Sequence, residues 1–124
     1  ECLCTMITIL DKNIVYVIAA NNKDFINIYN RNESLCQHTI MNDKPMLLNN
    51  PEIDIRYYNL AQIKKYNIKF YFGTPIKSIN NNNLGTLCCI DTNVRTVSVS
   101  QYSIISKLTN IISKIIENQN DYFI

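Results

Sequence analysis

Residues 70–91 restrict what this chain can fold into more than any other stretch. Phe70-Tyr71-Phe72-Gly73-Thr74-Pro75-Ile76 and Leu84-Gly85-Thr86-Leu87-Cys88-Cys89-Ile90-Asp91 are almost wholly apolar, and the residues between them, Lys77 to Asn83, are polar. A strand that is apolar at consecutive rather than alternate positions needs cover on both faces. The pair is therefore expected as a hairpin in the middle of a core, at the centre of a small sheet. The tract Asn80-Asn81-Asn82-Asn83 reads as its solvated connection.

The flanking sequence supplies the other layers. Leu3 to Leu10 and Ile14 to Ala20, separated by Asp11-Lys12-Asn13, predict a first hairpin. Asn21 to Glu33 is polar and reads as an irregular connection with room for a short turn of helix. Ser34 has the chemistry of a helix N-cap, followed by a two-turn helix carrying Leu35, Cys36, Thr39 and Ile40. Met46-Leu47-Leu48, bounded by Pro45 and Asn49-Asn50-Pro51, predicts a short edge strand. From Ile53 to Tyr66, Tyr57, Leu60, Ala61, Ile63 and Tyr66 recur at roughly helical spacing, predicting one or two short crossover helices. The clearest helix follows: Ile104, Ile105, Leu108, Ile111, Ile112, Ile115 and Ile116 recur every three or four residues as one apolar face. Ser98 and Gln101 have the form of a capping box that starts it. The whole is an α+β pattern around an antiparallel sheet of about five strands.

Composition narrows the function. At 124 residues, 47% hydrophobic, 18% charged and with a net charge of +2, the chain is expected to be one ordinary globular domain. Lys64-Lys65 is the one basic pair, so the phosphate-neutralising stripe of a nucleic-acid binder is missing. Five cysteines, Cys2, Cys4, Cys36, Cys88 and Cys89, lack the spacing of a zinc knuckle or a thioredoxin-type dithiol, so no metal is expected and a reduced, cytoplasmic setting is the simplest reading. No apolar run approaches the roughly 20 residues of a membrane span, and the start lacks the regions of a signal peptide. A first residue other than Met and an apolar end, Tyr122-Phe123-Ile124, suggest a segment of a longer polypeptide.

Four segments resemble the GAF domain, the small PAS-like sensor module of phytochromes, cyclic-nucleotide phosphodiesterases, sensor histidine kinases and diguanylate cyclases. They are Ser34-Leu35-Cys36-Gln37-His38-Thr39-Ile40, Pro51-Glu52-Ile53-Asp54-Ile55-Arg56-Tyr57 where the family often has Asp-Pro-Arg-Phe, and the two strands already quoted. Arg95 and the Ser98 cap echo the entry to the closing helix. The resemblance spans most of the chain and implies strand order 2-1-5-4-3, a long C-terminal helix packed on one face, and a ligand pocket on the other face beneath the connection Pro51 to Lys69. It implies one GAF-like domain over 1–124, taken from a larger multidomain protein. Two departures stand out. The helix that usually precedes the first strand is absent, and Ile55 replaces the usual proline.

Particular branches of the family fit less well. Those that bind cyclic nucleotides carry an Asn-Lys pair after the last strand, where this chain has Asp91-Thr92-Asn93-Val94-Arg95; Asn22-Lys23 lies near the first hairpin instead. Bilin attachment needs a placed thiol, and no Cys-His dipeptide is present: Cys36 and His38 fall on different sides of a helix. The free-methionine sulfoxide reductase branch has a thiol near the position of Cys36, but the crossover where it places another contains no cysteine.

Asp54, Arg56 and Tyr57 offer a charge pair and an aromatic at the lip of the implied pocket, able to orient a small polar ligand; the alternative is that Asp54 and Arg56 merely fix the loop. Cys36, Tyr71, Cys88 and Asp91 complete the candidate ligand set, with no cofactor specified. Cys88 and Cys89 must point to opposite sides of their strand, and core packing is their default role. The function implied is a non-enzymatic regulatory sensor that binds an unidentified small molecule and modulates a covalently attached output domain. The alternatives are a ligand-free interaction module whose pocket is filled and whose last helix pairs in a homodimer, and a thiol enzyme.

Overall fold

The structure is a computed structural model that describes residues 2–122; Glu1, Phe123 and Ile124, the last two part of the apolar end noted above, lie outside it. Six strands form one antiparallel sheet: β1 (Cys4–Leu10), β2 (Ile14–Ala20), β3 (Ile28–Asn30), β4 (Met46–Asn49), β5 (Phe70–Lys77) and β6 (Asn83–Asp91), in the order β3-β2-β1-β6-β5-β4. Three helices complete it: α1 (Leu35–Ile40), α2 (Ala61–Tyr66) and α3 (Val99–Tyr122).

The expected order is present with one addition at its edge. The irregular connection after the first hairpin contains a short helical turn at Lys23–Phe25 and then a three-residue strand, β3, paired with Ile14 to Tyr16. Three residues are too few to carry an alternation signal, yet their backbone groups pair with the open edge of β2. β4 is the opposite edge, as its bounding prolines suggest. β5 and β6 are the interior hairpin, buried at nearly every position, and Asn81 of the asparagine tract takes the left-handed conformation (φ 65°) in their connection.

Caps set the helix starts. Ser34 Oγ accepts from the Cys36 amide at 3.1 Å to open α1. Ser98 Oγ accepts from the Gln101 amide at 3.1 Å while Gln101 Oε1 accepts from the Ser98 amide at 2.9 Å, which is the capping box reading the sequence offered. The crossover has a helical turn at Pro51–Ile53 before α2, and Asn67 ends α2 in the left-handed region (φ 51°).

The two faces of the sheet have different partners. One carries Cys4, Met6, Val17, Tyr71, Cys88 and Ile90, packed against Leu35 and Cys36 of α1, Ile63 of α2, and Phe25, Leu48 and Ile68. The other packs on α3, through Phe72 against Tyr102 (ring centroids 5.8 Å apart) and a hydrogen bond between the Thr74 and Thr109 hydroxyls at 2.7 Å. Here the expectation of a single covered apolar face on the last helix is only half met. Ile105, Ile112 and Ile116 are half-buried, but Ile104, Leu108, Ile111 and Ile115 stand exposed. The apolar stripe is wide enough for two seams, and the sheet covers one of them.

Candidate functional site

Alternation along β5 and β6 decides which candidate residues meet. Tyr71 on β5, with Thr86 and Cys88 on β6, points toward α1, while Phe70, Phe72, Cys89 and Asp91 point the other way. Cys36 enters the same space from the second position of α1. The result is a buried cluster. Thr86 Oγ1 donates to Cys36 Sγ at 3.5 Å, Tyr71 OH donates to it at 3.9 Å, and the Tyr71 and Thr39 hydroxyls bond at 2.7 Å. Thr8 on β1 closes the cluster, with its hydroxyl 2.7 Å from that of Thr86 and accepting from the Thr86 amide at 3.2 Å. Cys36, Tyr71 and Cys88 are thus brought together.

The electrostatics follow from this packing. Donors hold the Cys36 thiol down to about 6: Cys88 contributes most, burial opposes, and Ser34, Thr86 and Tyr71 add to the lowering. The same contact, aided by burial, pushes the Cys88 thiol well up. Burial raises the Tyr71 phenol well above its ordinary value. Gly73 makes the arrangement sterically possible: a Cβ there would sit 2.4 Å from the Tyr71 hydroxyl oxygen and 2.8 Å from ring carbons. The tyrosine ring lies over the glycine on the same strand.

The crossover residues form a separate group at the rim. Arg56 Nη2 lies 2.8 Å from Asp54 Oδ2 and Arg56 Nε donates to Asp54 Oδ1 at 3.1 Å, closing a local fork, and Arg56 also caps the Tyr57 ring at 4.9 Å. The Arg56 side-chain and backbone N–H groups hold the Asp54 carboxyl below the usual range. Tyr57 packs on His38 of α1, ring centroids 5.0 Å apart, and burial lowers the His38 imidazole. His38 and Cys36 do face different sides of α1: one is half-buried at the rim and the other fully buried. Leu35, Cys36, Ile63, Ile68 and Tyr71 belong to one buried cluster, with Tyr57 packed against it.

Asp91 belongs to neither group. It lies on the α3 side, paired with Arg95 and accepting from the Thr92 amide at 2.8 Å. Burial pushes its carboxyl up, but Arg95 and the Thr92 amide pull harder, leaving it below the usual range. Beside it runs a groove of about 220 Å³ lined by Phe70, Phe72, Cys89, Arg95, Gln101 and Ile104, among others. Sequence reasoning places Thr39 on the buried face of its helix but gives Thr8, Thr86 and Gly73 no part in the site. Their signal was available in the same-face spacing of Tyr71 with Gly73 and of Thr86 with Cys88, two residues apart on one strand. Among the described residues, no group of three or more His, Cys, Asp or Glu gathers as a metal site, and no helix is long and apolar enough to cross a membrane.

A six-stranded antiparallel sheet, with short helices and a crossover over one face and a long C-terminal helix on the other, defines a class of small α+β domains. The model of the GAF domain family matches residues 4–116, and the chain belongs to that family. No curated protein matches it. Among solved structures it is similar to the GAF domain of a two-component sensor histidine kinase from Bacillus halodurans, with TM-score 0.76 and 16% identity over 100% of this chain and 87% of that one. It is also similar to the PixJ GAF domain of Thermosynechococcus elongatus in its blue-light absorbing form, with TM-score 0.73 and 13% identity over 98% and 77%. A third likeness is to the type II free methionine-R-sulfoxide reductase of Thermoplasma acidophilum, with TM-score 0.70 and 9% identity over 93% and 79%.

Proposed function

We propose that the chain is a non-enzymatic regulatory module of a signalling protein. In this reading a small polar molecule, bound between the sheet and the Pro51 to Lys69 connection, shifts a conformational equilibrium that α3 passes to an attached output domain. One observation supports it above others. Tyr71 and Phe72 are neighbours on β5, yet Tyr71 touches the Cys36 cluster while Phe72 and Thr74 touch α3. A displacement of the floor is therefore felt by the output helix across the thickness of one strand. Asp54, Arg56 and Tyr57 at the rim supply a carboxylate, a guanidinium and an aromatic face to orient the ligand.

The test is mass spectrometry of the module purified from its native host, together with output measurements on the parent protein carrying Asp54→Ala or Arg56→Ala. A retained small molecule and an altered output are expected. No retained molecule together with unchanged output would refute the reading.

A ligand-free interaction module is the second reading, favoured by the occupied interior and by the exposed residues Ile104, Leu108, Ile111 and Ile115. Their spacing of four, three and four is that of a helix-pairing seam. Sedimentation decides it: this reading expects a dimer that Ile111→Glu converts to a monomer, and a monomer at every concentration excludes it.

A further inference from the structure

The sequence has one basic pair, Lys64-Lys65, and the fold splits it. Lys64 Nζ donates to Asn59 Oδ1 at 2.7 Å, while the Lys65 ammonium lies 5.3 Å from the centre of the Tyr66 ring. Gln62 and Lys65 are three residues apart and so share one side of α2. That side meets Tyr29 of β3 and the turn Glu33-Ser34 across a cavity of about 80 Å³, room for a molecule the size of glycine. Most of the polar groups in its walls are already engaged. Tyr29 OH donates to the Phe25 carbonyl at 3.3 Å, so the 3.3 Å bond between the two phenols takes the Tyr66 proton, and Gln62 Oε1 accepts from the Leu35 amide at 3.0 Å. Three groups around the cavity are left over. Among the described residues, the Glu33 carboxylate and the Lys65 ammonium take part in no ion pair, with each other or elsewhere, and the Gln62 NH2 has no hydrogen-bond acceptor.

We propose that this cavity binds a small dipolar molecule, its ammonium group on Glu33 and its carboxylate on Lys65 and the Gln62 NH2. Opposite charges on two walls disfavour the simpler ligands. An anion alone meets the Glu33 carboxylate, a cation alone meets the Lys65 ammonium, and an apolar molecule strips water from both charges and the amide without replacing it. A dipolar molecule serves all three groups, and its short carbon stem lies against the Tyr29 and Tyr66 rings. The volume sets the second limit: it takes a stem of about one or two carbons and no long side chain. The elements joined give the binding a structural effect. α2 belongs to the Pro51 to Lys69 connection, whereas Glu33 and Ser34 lead into α1, so the ligand ties the connection to the helix that covers β5 and β6. The cavity shares no residue with the Asp54 to Tyr57 rim, and the proposal therefore stands or falls separately from the small-molecule reading of that rim.

The experiment titrates the whole isotope-labelled chain with glycine, with β-alanine, and with the two halves of glycine, methylammonium chloride and sodium acetate, at matched ionic strength, and follows the backbone amide signals. Glycine or β-alanine is expected to give saturable shifts at Glu33, Ser34, Gln62 and Lys65, and each half alone to bind weaker by about tenfold or more. Glu33→Gln and Lys65→Gln change exposed positions where folding tolerates them, and each is expected to weaken the dipolar probe about tenfold. Lys114→Gln, which removes the same charge from α3, is expected to leave binding unchanged. No saturable shift with either dipolar probe would overturn the proposal. So would acetate binding as tightly as glycine, binding that survives Lys65→Gln, or shifts that fall on Asp54 to Tyr57 instead.

Discussion

Gly73→Ala probes the geometry of the buried cluster most directly. The added methyl would lie 2.4 Å from the Tyr71 oxygen, about an ångström short of ordinary contact, and the ring is fully buried between α1 and the sheet with nowhere to retreat. Overpacking of this kind costs about 1–3 kcal/mol. Displacing the ring also breaks its 2.7 Å bond to Thr39, worth about 1 kcal/mol. Against this, alanine restricts the unfolded backbone more than glycine does, a gain of about 0.5–1 kcal/mol. The net expectation is a loss of about 2 kcal/mol. In a Tyr71→Leu background the clash and the bond are both gone, so the same Gly73→Ala change should become neutral or stabilising by about 0.5–1 kcal/mol. The coupling between the two sites is then about 2–3 kcal/mol, with Tyr71→Phe intermediate because ring carbons remain 2.8 Å away. Urea unfolding followed by circular dichroism measures it, the chain having no tryptophan to report by fluorescence. Equal losses from Gly73→Ala with and without the tyrosine ring would refute the reasoning.

Two further outcomes follow from the α3 side. Thr109→Val is expected to lower stability by about 1–3 kcal/mol, because the buried Thr74 hydroxyl loses its partner, and adding Thr74→Val should restore most of it; a melting curve unchanged by Thr109→Val would contradict this. Asp91 has a folded pKa below its unfolded one, so its contribution is fully present above the unfolded carboxylate value, near 4, and is lost as pH falls through the lower folded value. Asp91→Asn should therefore destabilise at neutral pH and flatten the acid limb of a stability profile; an acid limb as steep as wild type would show that other carboxylates carry it.

The fold was legible where side-chain pattern and backbone conformation agree. The consecutive apolar runs at 70–76 and 84–91, the Ser98 and Gln101 pair and the Pro45 and Pro51 brackets each have one physical reading, and each element lies where that reading puts it. β3 was not legible, because Ile28–Asn30 are held by backbone pairing with β2 rather than by any alternation of their own. The site was legible in part for a different reason. Sequence shows that Tyr71 and Phe72 face opposite ways but not which way, since both sides of β5 are apolar; only the positions of α1 and α3 decide. The meeting of Cys36 with Cys88 depends on β6 lying beneath α1, a tertiary fact that spacing does not encode. Asp91 stands in the candidate ligand set with Cys88, but it lies three residues further along β6, and alternation sends it to the other face.

The sheet order has a further consequence at its middle. β1 lies between β2, its neighbour in the chain, and β6, and across that second boundary Thr8 meets Thr86, 78 residues away. The other strand pairings join consecutive strands, so the sheet is two locally wound ribbons, β1 to β3 and β4 to β6, zipped along a single line. Closing that line carries the long-loop entropy and is expected to form last and slowest. Gly85 is part of the zip: a Cβ there would meet the Thr8 carbonyl oxygen at 1.9 Å, so the ribbons approach there as only glycine allows. The molecule is therefore divisible. Cut in the exposed turn at Met41 to Lys44, it should yield two pieces that each hold a complete ribbon and recombine through α1 and the β1 to β6 line into the whole.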